Sequence, residues 1–172
     1  LIMDSWEVLL RTGPKLVAFT HKSNTLGTLN DVKTMVEQAH AAGALVFVDN
    51  VFATPVLQHP MALGADVVVY SATKHIDGQG RALGGVILGP EDVIGGPVKH
   101  LVRNAGPSMS PFNAWVMLKG METLDLRVRA QAATAQRLAE AVAEARRPAR
   151  PVVLDDHHGR RPAPDLDPDR RP

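Results

Sequence analysis

The segment YSATKHIDGQGR, residues 70–81, places one lysine between hydroxyl-bearing residues and a glycine-rich turn. Ser71 lies three residues before Lys74, and Thr73 directly precedes it. The segment follows an apolar run typical of a buried strand, so Lys74 is expected where that strand ends. An amine in this setting is suited to attack a carbonyl group, and the neighbouring hydroxyls are suited to bind a phosphate.

Two further polar residues precede Lys74 at equal intervals. Asp49 ends an apolar run 25 residues before Lys74, and Asn24 follows another such run 25 residues before Asp49. Each interval has the length of one strand–helix–strand crossover, so the three residues are expected at one edge of a parallel sheet. Open α/β sheets bind their ligands at the carboxyl ends of the strands, which is the edge in question.

Together these residues supply the functional groups that a binding site for pyridoxal 5′-phosphate requires. A lysine amine can bond to its aldehyde, and an acid beside the pyridine nitrogen keeps the ring able to withdraw electrons. Hydroxyls can bind the phosphate, and an amide donor near the ring oxygen can polarise the bond to the lysine. We therefore predict Lys74 and Asp49 as catalytic residues, and Asn24, Asp49, Ser71, Thr73 and Lys74 as cofactor-binding residues, with no metal site.

Composition narrows the classes of protein that the chain can represent. Its 172 residues are 45% hydrophobic, carry a net charge of +1 and include no cysteine. This balance favours a packed domain and argues against both disorder and a nucleic-acid partner. Without cysteine there can be no disulfide, thiolate metal site or cysteine nucleophile. No apolar run approaches the roughly 20 residues of a membrane helix, so no membrane partner is expected.

Four apolar runs predict the strands that would position these residues. The first three are nearly continuous in apolar side chains, as expected for strands buried on both faces of a parallel sheet. The fourth follows the glycine-rich turn. The runs are KLVAFT (15–20), ALVFVD (44–49), DVVVYS (66–71) and ALGGVILG (82–89).

Helical patterns separate the strands. Residues 31–42 show helical spacing, with Asn30 or Asp31 as the N-cap and Gly43 at the end. Residues 56–65 predict a second, brief helix. Strands that alternate with helices in this way predict a three-layer α/β/α architecture.

The C-terminal third is predicted to be helical and then irregular. Ser110 can cap a helix that has Pro111 in its first turn and runs toward residue 122. Residues 125–145 are rich in Ala, Leu, Arg and Glu and predict one long helix, whose apolar face would include Leu126. Residues 146–172 are rich in Pro, Arg and Asp and predict a disordered tail.

Two longer stretches resemble the Cys/Met-metabolism family of pyridoxal-phosphate enzymes. They are VDNVFATPVLQHPMALGADVVVYSATKHIDGQGRALGGVILG (48–89) and RNAGPSMSPFNAWVMLKGMETLDLRVRA (103–130). The resemblance covers about residues 44–142. Within the family it is strongest to the sulfhydrylases that act on O-succinylhomoserine.

The resemblance implies a fold, a set of roles and partners. The fold would be that of the type I aminotransferases, with residues 1–124 as part of the large cofactor-binding domain and residues 125–145 as a helix leading out of it. Lys74 would bond to the cofactor and Asp49 would pair with the pyridine nitrogen, while the serine and threonine before the lysine would contact the phosphate. The substrate would be a small amino acid. The full-length enzyme would be a cytoplasmic homo-oligomer, either a dimer or a tetramer.

One loop departs from the family pattern. Residues 20–25, THKSNT, stand where the family has an acidic-Thr-Pro-Ser-Asn-Pro motif, although Asn24 still matches the family asparagine. Residues 15–48 look instead like a class V cysteine desulfurase. The start of the chain lacks other expected parts of the site, so a fragment or chimera is expected.

The leading functional hypothesis is a transferase of methionine biosynthesis that converts O-succinylhomoserine and sulfide into homocysteine and succinate. A transsulfuration enzyme of the cystathionine γ-synthase or γ-lyase type is an alternative. A cysteine desulfurase-like protein is another, although that chemistry uses a cysteine that this chain lacks. A truncated, non-catalytic remnant is the fourth.

Overall fold

The computed structural model describes residues 3–146. The tail predicted over 146–172 therefore lies, apart from its first residue, outside the described residues. The chain divides into two compact units, residues 1–136 and 137–172. The first unit holds the sheet and all the predicted site residues. In the second, the described residues are the last turns of one helix and the residue that follows.

Within residues 3–146 a helix precedes three strands that are separated by helical segments; a fourth strand follows after a turn, and the remaining elements are helical. The strands are β1 Leu16–Thr20, β2 Leu45–Asp49, β3 Val67–Ser71 and β4 Gly85–Leu88. The helices are α1 Met3–Leu10, α2 Val32–Ala41, α3 Thr54–Leu57, α4 Glu91–Val93, α5 Lys99–Ala105, α6 Pro111–Met121 and α7 Leu124–Ala145. A 3₁₀ turn spans Pro60–Leu63, and wide π-type turns span Ala72–Ile76 and Ile94–Val98.

The four strands form one mixed sheet in the order β1-β2-β3-β4. The first three strands are parallel, as predicted, and their register pairs Thr20 with Asp49 and Asp49 with Val69. Strand β4 runs antiparallel to β3, pairing Ser71 with Gly85. The connection from β3 to β4 is a turn without a crossover helix, which brings the chain back in the opposite direction. The carboxyl ends of β1, β2 and β3 therefore lie side by side.

Helix α2 forms as its sequence predicts. Asp31 is the N-cap, and its Oδ1 accepts a hydrogen bond from the amide of Thr34 at 3.2 Å. The other cap candidate, Asn30, instead donates its side-chain amide to the carbonyl of Thr20 at 2.7 Å. Gly43 follows the helix with a φ of +75°, a conformation that favours glycine. The side chain of Asn30 thus ties the start of the helix to the end of β1.

The brief helix predicted over 56–65 is wrong as a single element. Helix α3 ends at Leu57, and the following residue, Gln58, is extended with φ −141° and ψ 139°. A separate 3₁₀ turn begins at Pro60. Proline disfavours helical backbone in the residue before it and has no N–H to continue the helix, so the segment divides at this point.

Helix α1 was not predicted, although it contributes to the core. The ring of Trp6 packs edge-on against Phe19 with ring centroids 5.7 Å apart, and its Nε1 donates to Gln38 Oε1 at 2.8 Å. Trp6 is only 4% exposed. An eight-residue helix gives a weak periodic signal, and this one is held by tertiary contacts with β1 and α2.

The core lies mainly on one face of the sheet. That face carries the following buried side chains of the strands: Phe19, Val46, Val48, Val68 and Tyr70. On the opposite face Leu16 is 46% exposed, Leu45 45% and Ile87 44%. The prediction that the strands are buried on both faces is therefore wrong for β1 and β2 within residues 3–146. It holds at the start of β3, where both Val67 and Val68 are buried.

Helices α6 and α7 begin as predicted but pack differently. Ser110 caps α6 by accepting from the amide of Asn113 at 3.1 Å. Helix α7 buries Leu124 and Val128, whereas Leu126, assigned from the sequence to the packing face, is 71% exposed. Among the helices of the described region, none has the length and apolar character needed to cross a bilayer.

Candidate cofactor site

Asp49 is held at the end of β2 by its neighbours. Its Oδ1 accepts a hydrogen bond from the amide of Val51 at 2.9 Å, and its backbone carbonyl accepts from the amide of His21 at 2.9 Å. The side chain is half-buried. The carboxylate is therefore fixed at the sheet edge and remains partly accessible.

A buried asparagine shapes the loop that follows Asp49. The side-chain nitrogen of Asn50 donates to the carbonyls of Thr54 and Gln58, at 3.1 and 3.0 Å, and to the hydroxyl of Tyr70 at 3.1 Å. Thr54 has a φ of +61°, which is uncommon for a β-branched residue. These bonds hold the loop in a conformation that its local sequence does not favour, and they keep the end of β2 in place.

Asp49 lies at the wall of an open cavity on the sheet face. The cavity has a volume of about 350 Å³. This is within the size range of small-molecule sites, and a pyridine ring is smaller. Ser71 lies two residues beyond Val69 in β3, so it belongs to the same face as Asp49. The other lining residues are Ala18, Phe19, Thr20, Phe47 and Val69.

Lys74 lies in the wide turn that follows β3. Its backbone departs from helical geometry, with φ −84° and ψ −108°, and its side chain is exposed. Partial burial would favour a nucleophilic amine, and residues 3–146 do not provide it for Lys74. The strand ends at Ser71, and the turn carries the lysine beyond the sheet edge, where the described residues do not cover it.

Thr73 has a structural bond that the sequence did not indicate. Its hydroxyl accepts from the amide of Gly84 at 3.0 Å and is 3.3 Å from the carbonyl of the same residue. The amide of Ala72 also donates to the Gly84 carbonyl, at 2.8 Å. The hydroxyl thus fastens the lysine turn to the segment that enters β4.

Asn24 lines a different cavity from Asp49. It is exposed in the loop after β1, and its Oδ1 accepts from Thr25 Oγ1 at 3.3 Å. This second cavity, of about 340 Å³, also contacts Phe52 and His75. The structure thus places Asn24 near the residue that follows Lys74 and does not bring it into the cavity beside Asp49.

Two histidines near the strand ends have a lowered pKa. Burial lowers the pKa of His75, and the charges of Arg127 and Lys22 act in the same direction, against a hydrogen bond from the ring to Gln131 that acts to raise it. Burial alone lowers the pKa of His21, whose Nδ1 has no hydrogen-bond partner among residues 3–146. Both rings are therefore neutral at pH 7.

Two arginines support the lysine turn and were missed from the sequence. Arg81 binds the buried carboxylate of Asp77. The two residues are only four positions apart, so their opposite charges could have indicated this ion pair from the sequence. Arg127 donates to the backbone of the turn from α7, about 50 residues away in sequence. Local sequence pattern contains no indication of that contact.

The residues present fit pyridoxal phosphate in their chemistry. A carboxylate lines a cavity that is larger than a pyridine ring, and the lysine lies in the turn that follows the next strand along the sheet. Ser71 shares the face of the carboxylate. The hydroxyl of Thr73 is already engaged by Gly84, so its own contribution to a phosphate site would be made in competition with that bond.

Comparison with known proteins agrees with this chemistry. The profile of the Cys/Met metabolism PLP-dependent enzymes matches residues 1–152. O-succinylhomoserine sulfhydrylases of Mycobacterium tuberculosis and Pseudomonas aeruginosa are 56% and 52% identical over 138 residues, which are 80% of this chain. The chain spans about a third of the length of these relatives, 34% in both cases.

Solved structures show the same relationship. A cystathionine γ-synthase from Xanthomonas oryzae superposes with a TM-score of 0.78 at 35% identity, covering 81% of this chain and 36% of that one. A methionine γ-lyase from Micromonospora echinospora gives 0.70 at 42% identity, covering 73% of this chain and 35% of the other. The profile match includes residues 15–48, so the resemblance of that stretch to cysteine desulfurases gains no support. The fold class predicted from the sequence is confirmed, and the chain belongs to the Cys/Met metabolism family of PLP-dependent enzymes.

Proposed function

We propose that this chain supplies the central strands of the cofactor site in a sulfhydrylase that converts O-succinylhomoserine and sulfide into homocysteine and succinate. The observation that carries the proposal is that Asp49 ends β2 and that Lys74 follows the end of the neighbouring parallel strand β3 by three residues, at the edge where such sheets bind ligands. The identities of 56% and 52% to proteins of that name support the choice of reaction.

Each predicted residue has one proposed task. Bound pyridoxal phosphate supplies an electron sink for negative charge at the substrate Cα. The amine of Lys74 would hold the cofactor and, when released from it, would move the proton to and from that carbon. The carboxylate of Asp49 keeps the ring nitrogen protonated. Ser71 and Thr73 bind the phosphate, and the side-chain amide of Asn24 donates to the ring oxygen.

We further propose the context in which this chain acts. Residues 1–124 belong to the large cofactor-binding domain, and residues 125–145 form a helix leading out of it. The substrate is a small amino acid with an acylated side-chain hydroxyl. The full-length enzyme is a homo-oligomer of the cytoplasm.

Borohydride trapping tests the cofactor site. Pyridoxal phosphate is added to the folded chain, the adduct is reduced and the modified peptide is identified by mass spectrometry. We expect the label mainly on Lys74 and little on the other five lysines: Lys15, Lys22, Lys33, Lys99 and Lys119. The exposed Lys99, changed to alanine, is the matched control and should leave the pattern unchanged. Even labelling of all six lysines, or a pattern unaffected by Lys74→Ala, would contradict the site.

A second candidate is a cystathionine γ-synthase type of reaction, in which cysteine replaces sulfide as the nucleophile. The structural similarity to the Xanthomonas cystathionine γ-synthase supports this candidate. The two are distinguished by supplying the full-length protein with O-succinylhomoserine and either sulfide or cysteine. Homocysteine as the faster product supports the sulfhydrylase, and cystathionine as the faster product supports the alternative.

A further inference from the structure

Arg127, near the start of helix α7, is joined to the turn that contains Lys74. Its Nη1 donates to the carbonyl of His75 at 2.9 Å, and its Nη2 is 3.2 Å from the carbonyl of Ile76. Nη2 also donates to the carbonyl of Gly120 at 2.8 Å. The guanidinium thus connects two successive carbonyls of the turn to the end of helix α6.

A further hydrogen bond, made by the Nε of Arg127, fixes the orientation of its guanidinium. Its Nε donates to Thr123 Oγ1 at 3.1 Å, and the side chain is half-buried. A planar guanidinium offers its donors in a fixed fork, so orienting one edge orients the others. Each bond is charge-assisted and therefore stronger than a bond between neutral groups.

Two glycines provide the space for this contact. A Cβ on Gly78 would collide with Arg127 Nη1, and a Cβ on Gly120 would collide with the carbonyl oxygen of Ile76. Gly78 also has a φ of +72°. The close approach of α6, α7 and the lysine turn therefore depends on positions without side chains.

Several other backbone groups of the turn are also paired. The amide of Gly78 donates to the carbonyl of Lys74 at 2.8 Å, and the amide of Asp77 donates to that of Ala72 at 2.8 Å. On the other side the amides of Ala72 and Thr73 donate to Gly84. The carbonyls of Lys74 and of the two residues after it thus each have a donor, and two of the three donors belong to one side chain.

We propose that Arg127 is a positioning residue for Lys74, fixing the backbone on its C-terminal side so that the exposed amine is held at the sheet edge where the cofactor aldehyde binds. The inference rests on the proposed function. A lysine side chain has four rotatable bonds, so its amine has a defined position only if the backbone below it is immobile. Holding a nucleophile in place raises its effective concentration at its target.

The test compares three variants of the full chain. Arg127→Gln removes the charge and the fork. Arg127→Lys keeps the charge and the alkyl stem but replaces the planar fork with a single ammonium. Arg129→Gln is the matched control, because Arg129 lies on the same helix but pairs with the exposed Asp125.

Two readouts separate positioning from general stability. The first is hydrogen exchange of the peptide 72–81 without cofactor, compared with that of peptide 45–49 in β2. We expect Arg127→Gln to speed exchange about tenfold in the turn and to leave β2 unchanged. The second is the share of borohydride-trapped label on Lys74, which should fall at least about fivefold in both Arg127 variants and not in Arg129→Gln.

If the share of label on Lys74 is the same in the wild type and in Arg127→Gln, this inference is overturned and the proposed function remains intact. Even labelling of all lysines in the wild type would instead contradict the proposed function. Full labelling in Arg127→Lys would show that charge alone suffices and would also overturn the positioning role. If Arg127→Gln loses its circular dichroism signal and is therefore unfolded, the share of label on Lys74 in Arg127→Lys becomes the deciding measurement. Unfolding of both would assign Arg127 to the stability of the whole domain and overturn the inference.

Discussion

The carboxylate of Asp77 is completely buried and is bound by Arg81, four residues later in the chain. Asp77 Oδ1 lies 2.8 Å from the Nε of Arg81, and Oδ2 accepts from the backbone amide of the same residue at 2.6 Å. Between the two residues lie Gly78 and Gly80, with φ of +72° and +67°. The pair closes the glycine-rich turn directly after the lysine turn.

The Asp77–Arg81 pair predicts a defined acid sensitivity. Burial acts to raise the pKa of Asp77, but hydrogen bonds from the Arg81 amide and guanidinium, together with its charge, outweigh burial and lower it below the ordinary 3.8. The carboxylate therefore stabilises the fold above about pH 4, and this contribution is lost as the pH falls through the lowered pKa. We expect Asp77→Asn to reduce the free energy of unfolding at pH 7, and the difference from wild type to shrink at pH 3.

Urea denaturation at the two pH values measures this difference. Asp125→Asn is the control, because Asp125 forms an exposed pair with Arg129 and its loss should change stability little. If Asp77→Asn lowers the free energy of unfolding equally at both pH values, Asp77 stabilises the fold through packing and not through its charge.

Gly120 should not accept a side chain. A Cβ at this position would collide with the carbonyl oxygen of Ile76 and lie 3.0 Å from that of Asp77, and backbone atoms cannot move aside. We expect Gly120→Ala to lower the free energy of unfolding by about 1–3 kcal/mol, as for other overpacked sites. Gly96 has open space around its Cβ position, so Gly96→Ala is the control. Equal stability of the two variants in thermal unfolding would contradict the close contact.

His21 should make the fold less stable in mild acid. Burial lowers its pKa below the 6.5 of an exposed histidine. The unfolded chain therefore binds a proton that the folded chain does not, and stability falls as the pH drops below about 6.5. We expect His21→Leu to reduce the loss of stability between pH 7.5 and pH 5. The exposed His100, changed to glutamine, should leave the pH dependence as it is in wild type, and an unchanged slope in His21→Leu would refute the assignment.

Asp49 should matter for its charge more than for its structure. Asparagine retains the oxygen that accepts from the amide of Val51, so Asp49→Asn should change the free energy of unfolding by less than about 0.5 kcal/mol. Trapping of the cofactor on Lys74 should persist. In the full-length protein, exchange of the substrate Cα hydrogen with deuterated water should slow at least about 100-fold, because the ring nitrogen loses its acidic partner. Small and equal losses in trapping and exchange would identify the residue as a strand-end cap only.

Local pattern was sufficient for the parts of the molecule that depend on near neighbours. The four apolar runs contain β1 to β4, Asp31 and Ser110 are helix caps, and short stretches around Lys74 carry the family resemblance. These features follow from side-chain periodicity and from hydrogen bonds three residues apart, which the sequence displays directly. The boundary between α3 and the 3₁₀ turn also had a local cause, in Pro60, but its effect was not predicted.

Only the tertiary structure decided what surrounds the predicted residues. Thr73 binds Gly84 instead of presenting a free hydroxyl, Asn24 lies at a different cavity from Asp49, and Lys74 is exposed. Arg127 reaches the lysine turn from about 50 residues away. Such contacts arise when elements distant in the chain pack together, and no local period or spacing records which elements will meet. The sequence thus shows which residues could bind a cofactor, whereas the hydrogen bonds that hold those residues in position depend on tertiary packing.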